Sequence, residues 1–236
     1  MHVIYADPAL KGASCALKTF ITADWHLGET RLELMQRPFK STDEHTACII
    51  ERFNAVVSPG DHVIINGDCI AHQPDVAEMR RLLPTLARFN GTKTLIRGNH
   101  DRAINDAEFA PYFDRIIADG GGIRLDLVTD SEPVPIYVTH YPTQSVPECY
   151  NLVGHIHSSW KVQKNMLNVG VDVHSFTPME LPRALFFRKA VTEFYDQDVW
   201  VADHPANAAH ASRGKPGRYL DVQGFVGGAP AGGENK

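Results

Sequence analysis

Asp24 and His26 stand one residue apart after the apolar run LKTFIT, so an extended chain points both side chains the same way and lets a carboxylate and an imidazole converge on one cation. An apolar run ending in such polar residues recurs along the chain. Asp68 follows Gly67 at the end of HVIIN, where glycine permits a sharp turn and a carboxylate has two oxygens with which to bridge two metals. Asn99 in RGNHD offers a neutral oxygen, His140 ends PIYVTH, and His155 and His157 follow Gly154 in YNLVGHIH. Hard oxygens and neutral imidazoles are donors that divalent Mn, Fe, Zn, Ni or Co accept. Each residue alone is ordinary at a strand end. Seven of them, each after an apolar run, compose a ligand set.

In order along the chain the blocks read Asp24-Trp25-His26, Gly67-Asp68, Gly98-Asn99-His100-Asp101, His140 and Gly154-His155-Ile156-His157. This series resembles the calcineurin-like metallophosphoesterase superfamily, whose pattern is DxH, GD, GNH followed by Asp or Glu, a lone His, then GHxH. The later LNVGVDVHSFTPMEL also looks like an element of its small bacterial and phage members. The resemblance implies two divalent ions per chain, one on Asp24, His26, Asp68 and His157, the other on Asp68, Asn99, His140 and His155, with Asp68 bridging. It implies hydrolysis of a phosphodiester or phosphomonoester by in-line attack of a metal-bridging hydroxide, without a covalent phosphoenzyme. The chemistry agrees, because two cations about 3.5–4 Å apart both acidify a shared water and neutralise the phosphate under attack.

His100 is the motif histidine left without a metal. As a protonated imidazole it would donate to the leaving alkoxide or stabilise transition-state charge. Asp101 would orient His100 or the adjacent loop, or else form a structural ion pair. Arg97 either contacts substrate phosphate, as a matching arginine does in some members, or ends its strand in an ion pair. His72, four residues beyond Asp68, is a candidate substrate contact. Trp25, between two ligands, should point away from them into the core, and Cys69 should fill buried space beside Asp68. His62, His174, His204 and His210 read as surface or structural histidines.

The elements that must position these residues follow from the spacing. Helical patterns over 43–57 and 75–89, the second broken at Pro84, lie between the first three apolar runs, which implies parallel βαβ units. From Arg115 onward strands come faster, with Gly120-Gly121-Gly122 and Pro133 as turn signals, so antiparallel or mixed pairing is expected; RALFFRKAVTEFY is read as a further strand. The expected fold is α/β, a four-layer αββα sandwich of two mixed sheets flanked by helices. It occupies residues 1–202, and the Ala/Gly/Pro-rich stretch 203–236 is an arm whose Arg213, Lys215 or Arg218 would serve substrate access or an oligomer contact.

A length of 236 residues suits one core, and 43% hydrophobic with 22% charged residues excludes a disordered or fibrous chain. Net charge −5 without a basic stripe argues against a stable long nucleic-acid partner. A compact chain without a cap insertion favours a small diester, a cyclic nucleotide or a nucleic-acid end as substrate. Cys15, Cys48, Cys69 and Cys149 form no CxxC pair, and no stretch reads as a basic leader or membrane span, so a cytoplasmic protein with reduced thiols is expected. Two other classes stay in view: a scaffold that kept the fold and lost catalysis, and a metallo-β-lactamase-like hydrolase. The latter needs an early HxHxDH cluster, whereas here DxH comes early and HxH late.

Overall fold

A computed structural model of the chain describes residues 2–5, 18–128 and 133–193. Met1–Arg188 forms one compact unit; of the second unit, Lys189–Lys236, only residues 189–193 are described. The expected arm at 203–236, with Arg213, Lys215 and Arg218, and the boundary at 202 lie outside the described residues.

The strands are β1 His2–Tyr5, β2 Thr19–Thr22, β3 His62–Asn66, β4 Thr92–Ile96, β5 Arg115–Ile117, β6 Gly122–Val128, β7 Val134–Thr139, β8 Tyr150–Val153, β9 Val162–Gln163, β10 Met166–Asn168 and β11 Met179–Glu180. The helices are α1 Thr42–Val56, α2 Val76–Leu82, α3 Asp106–Phe109 and α4 Ala184–Glu193. One sheet runs β11-β2-β3-β4-β5 and the other β1-β6-β7-β8-β10-β9. In the first, β2 through β5 pair in parallel and β11 is antiparallel to β2. In the second, β1-β6 and β6-β7 are antiparallel while β7-β8 and β8-β10 are parallel. Both sheets are therefore mixed, and the αββα expectation matches this architecture of two sheets with helices.

Side-chain alternation splits the core in two. Phe20, Val63, Ile65 and Leu95 face a cluster completed by Ile49 and Phe53 of α1 and Met79 of α2. Ile21, Ile64 and Ile96 point the opposite way, onto Ile123, Leu125, Ile136, Val138 and Leu152 of the second sheet. Helix α1 starts where Ser41 accepts the Glu44 N–H, with Asp43 and Glu44 favourably placed in the first turn. Helix α2 stops at Leu82 and continues as a 3₁₀ segment, Leu83–Arg88, with Pro84 in its first turn.

The stretch expected as a strand at RALFFRKAVTEFY is instead helical from Ala184. Leu181, Ala184 and Leu185 recur at i, i+3 and i+4 and share the inter-sheet core, which a two-residue period could not arrange. Among the described residues no helix is long and apolar enough to cross a membrane.

Candidate metal centre

The seven expected ligands lie just beyond the carboxyl ends of β2, β3, β4, β7 and β8. Binding crevices of α/β sheets commonly form there. Their backbone departs from the extended chain assumed for the Asp24–His26 pair. Asp24 (φ 58°), His26 (φ 49°), Asp68 (φ 55°), His155 (φ 74°) and His157 (φ 49°) are all left-handed. Each such residue costs on the order of 1–2 kcal/mol. The two ligands thus share a direction because each is a turn residue, not because the strand continues. Trp25 between them is 1% exposed and stacks on Phe89 at 4.3 Å, in the core as expected.

The strain is held by neighbouring loops. Asp24 N donates to the Gly67 carbonyl (3.0 Å), His26 N to that of Asp68 (2.9 Å) and Leu27 N to that of Cys69 (3.0 Å). The His155 N–H bonds both Asp24 carboxylate oxygens at 3.0 Å, tying the first ligand block to the last. Two glycines are required by close approach. A Cβ on Gly67 would stand 2.2 Å from His140 Nδ1, and one on Gly98 would stand 2.2 Å from Asp68 Oδ1.

Donor atoms of Asp24, His26 and His157 lie within 4.8 Å of one another, and so do those of Asp68, His140 and His155. Asp68 sits between the groups, with Oδ2 3.5 Å from His26 Nε2 and 3.4 Å from His140 Nε2. Both ring nitrogens of His26, Nε2 of His140 and Oδ1 of Asn99 are buried without a hydrogen-bond partner. Buried polar atoms rarely stay unpaired, so bare Nε2 atoms of His26 and His140 on either side of Asp68 Oδ2 fit a site for cations.

Tautomers point the same way. His140 Nδ1 donates to the Asn66 carbonyl (2.7 Å) and His157 Nδ1 to Asp172 Oδ2 (2.9 Å), which leaves Nε2 of each ring bare for a metal. His155, exposed, lies on the open side, its ring 5.2 Å from that of His140.

Without cations the site holds protons. Burial, reinforced by repulsion from Asp68, raises the Asp24 carboxyl to about 6. Burial lowers the His140 pKa, but attraction to the nearby Asp68 and Asp24 carboxylates outweighs that and brings it to about 9. Both groups have raised values, so at pH 7 His140 keeps its proton and a cation must displace it. Metal loading at pH 7 is therefore expected to release about one proton or more per chain, with affinity rising from pH 6 toward 9. Calorimetry in buffers of different ionisation enthalpy checks this; pH-independent affinity over that range contradicts it.

His100 stands with His26 and Asp68 in a third group within 4.8 Å, so it too is in ligand range. Its Nδ1 accepts the backbone N–H of His72 at 3.1 Å, and its own N–H donates to Asp68 Oδ1 at 2.8 Å. His72 thus reaches His100 through its backbone. Asp101 is fully buried and accepts the N–H groups of Asp68 (2.8 Å), Gly98 (2.9 Å) and Cys69 (3.1 Å), which makes it the brace between the GD and GNHD loops. Cys69 adds its thiol to the same carboxylate at 3.1 Å, a role beyond filling space. The Arg97 guanidinium pairs with Asp106 (2.6 Å) and donates to the Asp101 (2.6 Å) and Ile104 carbonyls. It is placed as the strand-end ion pair.

Several neighbours were not singled out by sequence. Buried Glu29 is chelated by Arg31 at 2.9 and 3.0 Å and lies 3.9 Å from His26 Nδ1. Tyr141 packs on His140 and His155 and donates to Asp119 at 2.7 Å. Arg37, His45 and Asp172 form a buried network behind Asp24 and His157. Each lies outside the five motif blocks; Tyr141 carried a signal in its adjacency to His140, and Asp172 in its place within LNVGVDVHSFTPMEL.

Stacked mixed sheets carrying carboxylates and bare imidazoles at their strand ends define a protein built to hold divalent cations. The family model for calcineurin-like phosphoesterases matches residues 17–212, and the chain belongs to that family, whose activity is metal-dependent hydrolysis of phosphoesters. Among solved structures, the crystal structure of a protein of unknown function from Aquifex aeolicus is similar in fold, with a TM-score of 0.51 and 21% identity, over 71% of this chain and 97% of that one. No curated protein matches the chain.

Proposed function

We propose that the protein is a binuclear phosphoesterase of small diesters, cyclic nucleotides or nucleic-acid ends. The observation that carries this is the pair of ligand clusters meeting at Asp68, with the buried Nε2 atoms of His26 and His140 left unpaired on either side of it. Asp24, His26, Asp68 and His157 would hold one cation, and Asp68, Asn99, His140 and His155 the other. When bound, the cations supply Lewis acidity that deprotonates water at neutral pH and offsets phosphate charge. The chain's own residues fix the geometry: Asn66 and Asp172 hold two imidazoles in the bare-Nε2 tautomer, and Asp101 braces the loops bearing Asp68 and Asn99. His100 is the donor left for the ester, through Nε2.

Arg97 supports the preference for a diester. A dianionic monoester gains from an additional cation, and the guanidinium of Arg97, which directly precedes the GNHD block, is already engaged by Asp106 and two carbonyls.

The test is reconstitution of apoprotein with Mn, Co, Ni, Zn or Mg and assay on bis-p-nitrophenyl phosphate, p-nitrophenyl phosphate and a cyclic nucleotide. Chelator-sensitive hydrolysis is expected, faster on the diester than on the monoester, with one ¹⁸O from labelled water in the product and no covalent intermediate trapped. A protein that binds metal but cleaves none of these esters would instead be a scaffold on the same fold.

A further inference from the structure

Arg37 is buried, with its side chain 0% exposed, and all five N–H groups of its guanidinium have acceptors. Nε donates to Asp172 Oδ1 (2.8 Å), and Nη2 to Asp172 Oδ2 (2.9 Å) and the Asp24 carbonyl (2.6 Å). Nη1 reaches the Trp25 carbonyl (2.8 Å) and His45 Nε2 (2.8 Å), so that ring must present a bare Nε2 to it. Lysine, with three donors on one point, cannot reproduce this fork.

The destinations share a consequence. Carbonyls of Asp24 and Trp25 belong to the left-handed turn that aims Asp24 and His26. Asp172 is the carboxylate that receives the His157 Nδ1 proton and keeps Nε2 bare. One guanidinium therefore touches the supports of all three members of the Asp24, His26 and His157 cluster. In the other cluster His140 is oriented by the Asn66 carbonyl and the space left at Gly67, and Asp68 by the His100 N–H. None of these hydrogen-bonds Arg37 or Asp172, while the His155 backbone, on the Asp24 carboxylate, is shared with the first cluster.

We infer that Arg37, acting with Asp172, is a positioning residue for one cation site and not for the other. The inference rests on the two-cation reading of the centre. It assigns the paired sites separate supports, so their affinities can be changed one at a time.

The experiment is calorimetric titration of the apoprotein with Mn²⁺ or Zn²⁺ in wild type, Arg37→Lys and Asp172→Asn, with histidine-ring NMR of each apoprotein at alkaline pH, where the imidazoles are neutral. Wild type is expected to take two ions. Asp172→Asn should weaken one site by roughly 10–100-fold and leave the other within about twofold. Arg37→Lys should weaken the same site at least as much. In both variants His157 should lose its uniform Nδ1–H tautomer while His140 keeps its own.

Equal weakening of both sites, no weakening of either, or an Arg37→Lys protein indistinguishable from wild type would overturn the inference. If Arg37→Lys does not fold, Asp172→Asn decides; an unfolded Asp172→Asn assigns the pair to fold stability and also overturns it. Should wild type bind fewer than two ions, the functional reading fails instead, and the His157 tautomer in the apoproteins still judges Arg37 by itself.

Discussion

Asp68→Asn is expected to lower kcat/KM on a diester by at least about 10³-fold and to reduce metal content at both positions. The carboxylate is 3.5 Å from one cluster's His26 and 3.4 Å from the other's His140, so its charge serves both. Metal polarisation contributes several kcal/mol to phosphoryl transition states, and each 1.36 kcal/mol is tenfold in rate, so losing it at both positions gives about three decades or more. The amide is nearly isosteric, and Asp68 Oδ1 could be kept as the acceptor of the His100 N–H. The new NH₂ group then faces the imidazoles, where it offers a donor in place of a charge. Elemental analysis alongside kcat/KM makes the measurement. Two full equivalents of metal with near-normal turnover would remove Asp68 from the bridging position.

That carboxylate was legible as a candidate in the sequence because it follows an apolar run and a glycine, and so were the six other candidate ligands. Strand ends of a parallel sheet converge on one edge, so residues written after each apolar run meet in space even when their sequence separation is large. The parallel β2-β3-β4 order and the mixed second sheet were legible for the same reason. What the pattern misjudged was local. Alternation suggested that Asp24 and His26 share an extended strand, whereas both occupy left-handed turns that only surrounding hydrogen bonds sustain. A three-residue apolar run, Leu185-Phe186-Phe187, suggested a strand because such runs are ambiguous until the neighbouring core is known.

The supports of the site were illegible for a different reason. Arg37 and Asp172 are 135 residues apart, and nothing in QRPF marks an arginine as buried. Arginine is by default a surface residue, and its burial follows only from seeing five acceptors around it. Asp101 shows the same limit in milder form. Its place after GNH suggested either an ion pair or a brace, and only the N–H groups of Asp68, Cys69 and Gly98 distinguish the two.

His100→Ala is expected to keep its metal content and to lose on the order of 10²–10³-fold in kcat, the cost of removing one hydrogen-bond donor from a transition state. Sequence alone suggested that His100 works as an imidazolium, giving a proton to the leaving alkoxide. Its environment opposes that. Nδ1 accepts the His72 N–H at 3.1 Å, and an imidazolium would set two N–H groups against each other there. Burial lowers the His100 pKa in the same sense, with the charge of Asp68 only partly compensating. The neutral ring still has a donor, Nε2–H, but it cannot surrender that proton without becoming an imidazolate. It can therefore stabilise charge on the phosphoryl oxygens, which develops whichever group departs. The loss should accordingly be similar for an alkyl diester and a p-nitrophenyl diester, and His100→Gln, which retains an N–H donor, should recover part of it. Matched kcat/KM values for the two esters, with metal stoichiometry measured on each protein, provide the test. A loss far greater for the alkyl ester would show that His100 donates a full proton and that its contact with the His72 N–H breaks in the complex. Loss of one metal in His100→Ala would show instead that the ring is a ligand, as its place within 4.8 Å of His26 and Asp68 allows.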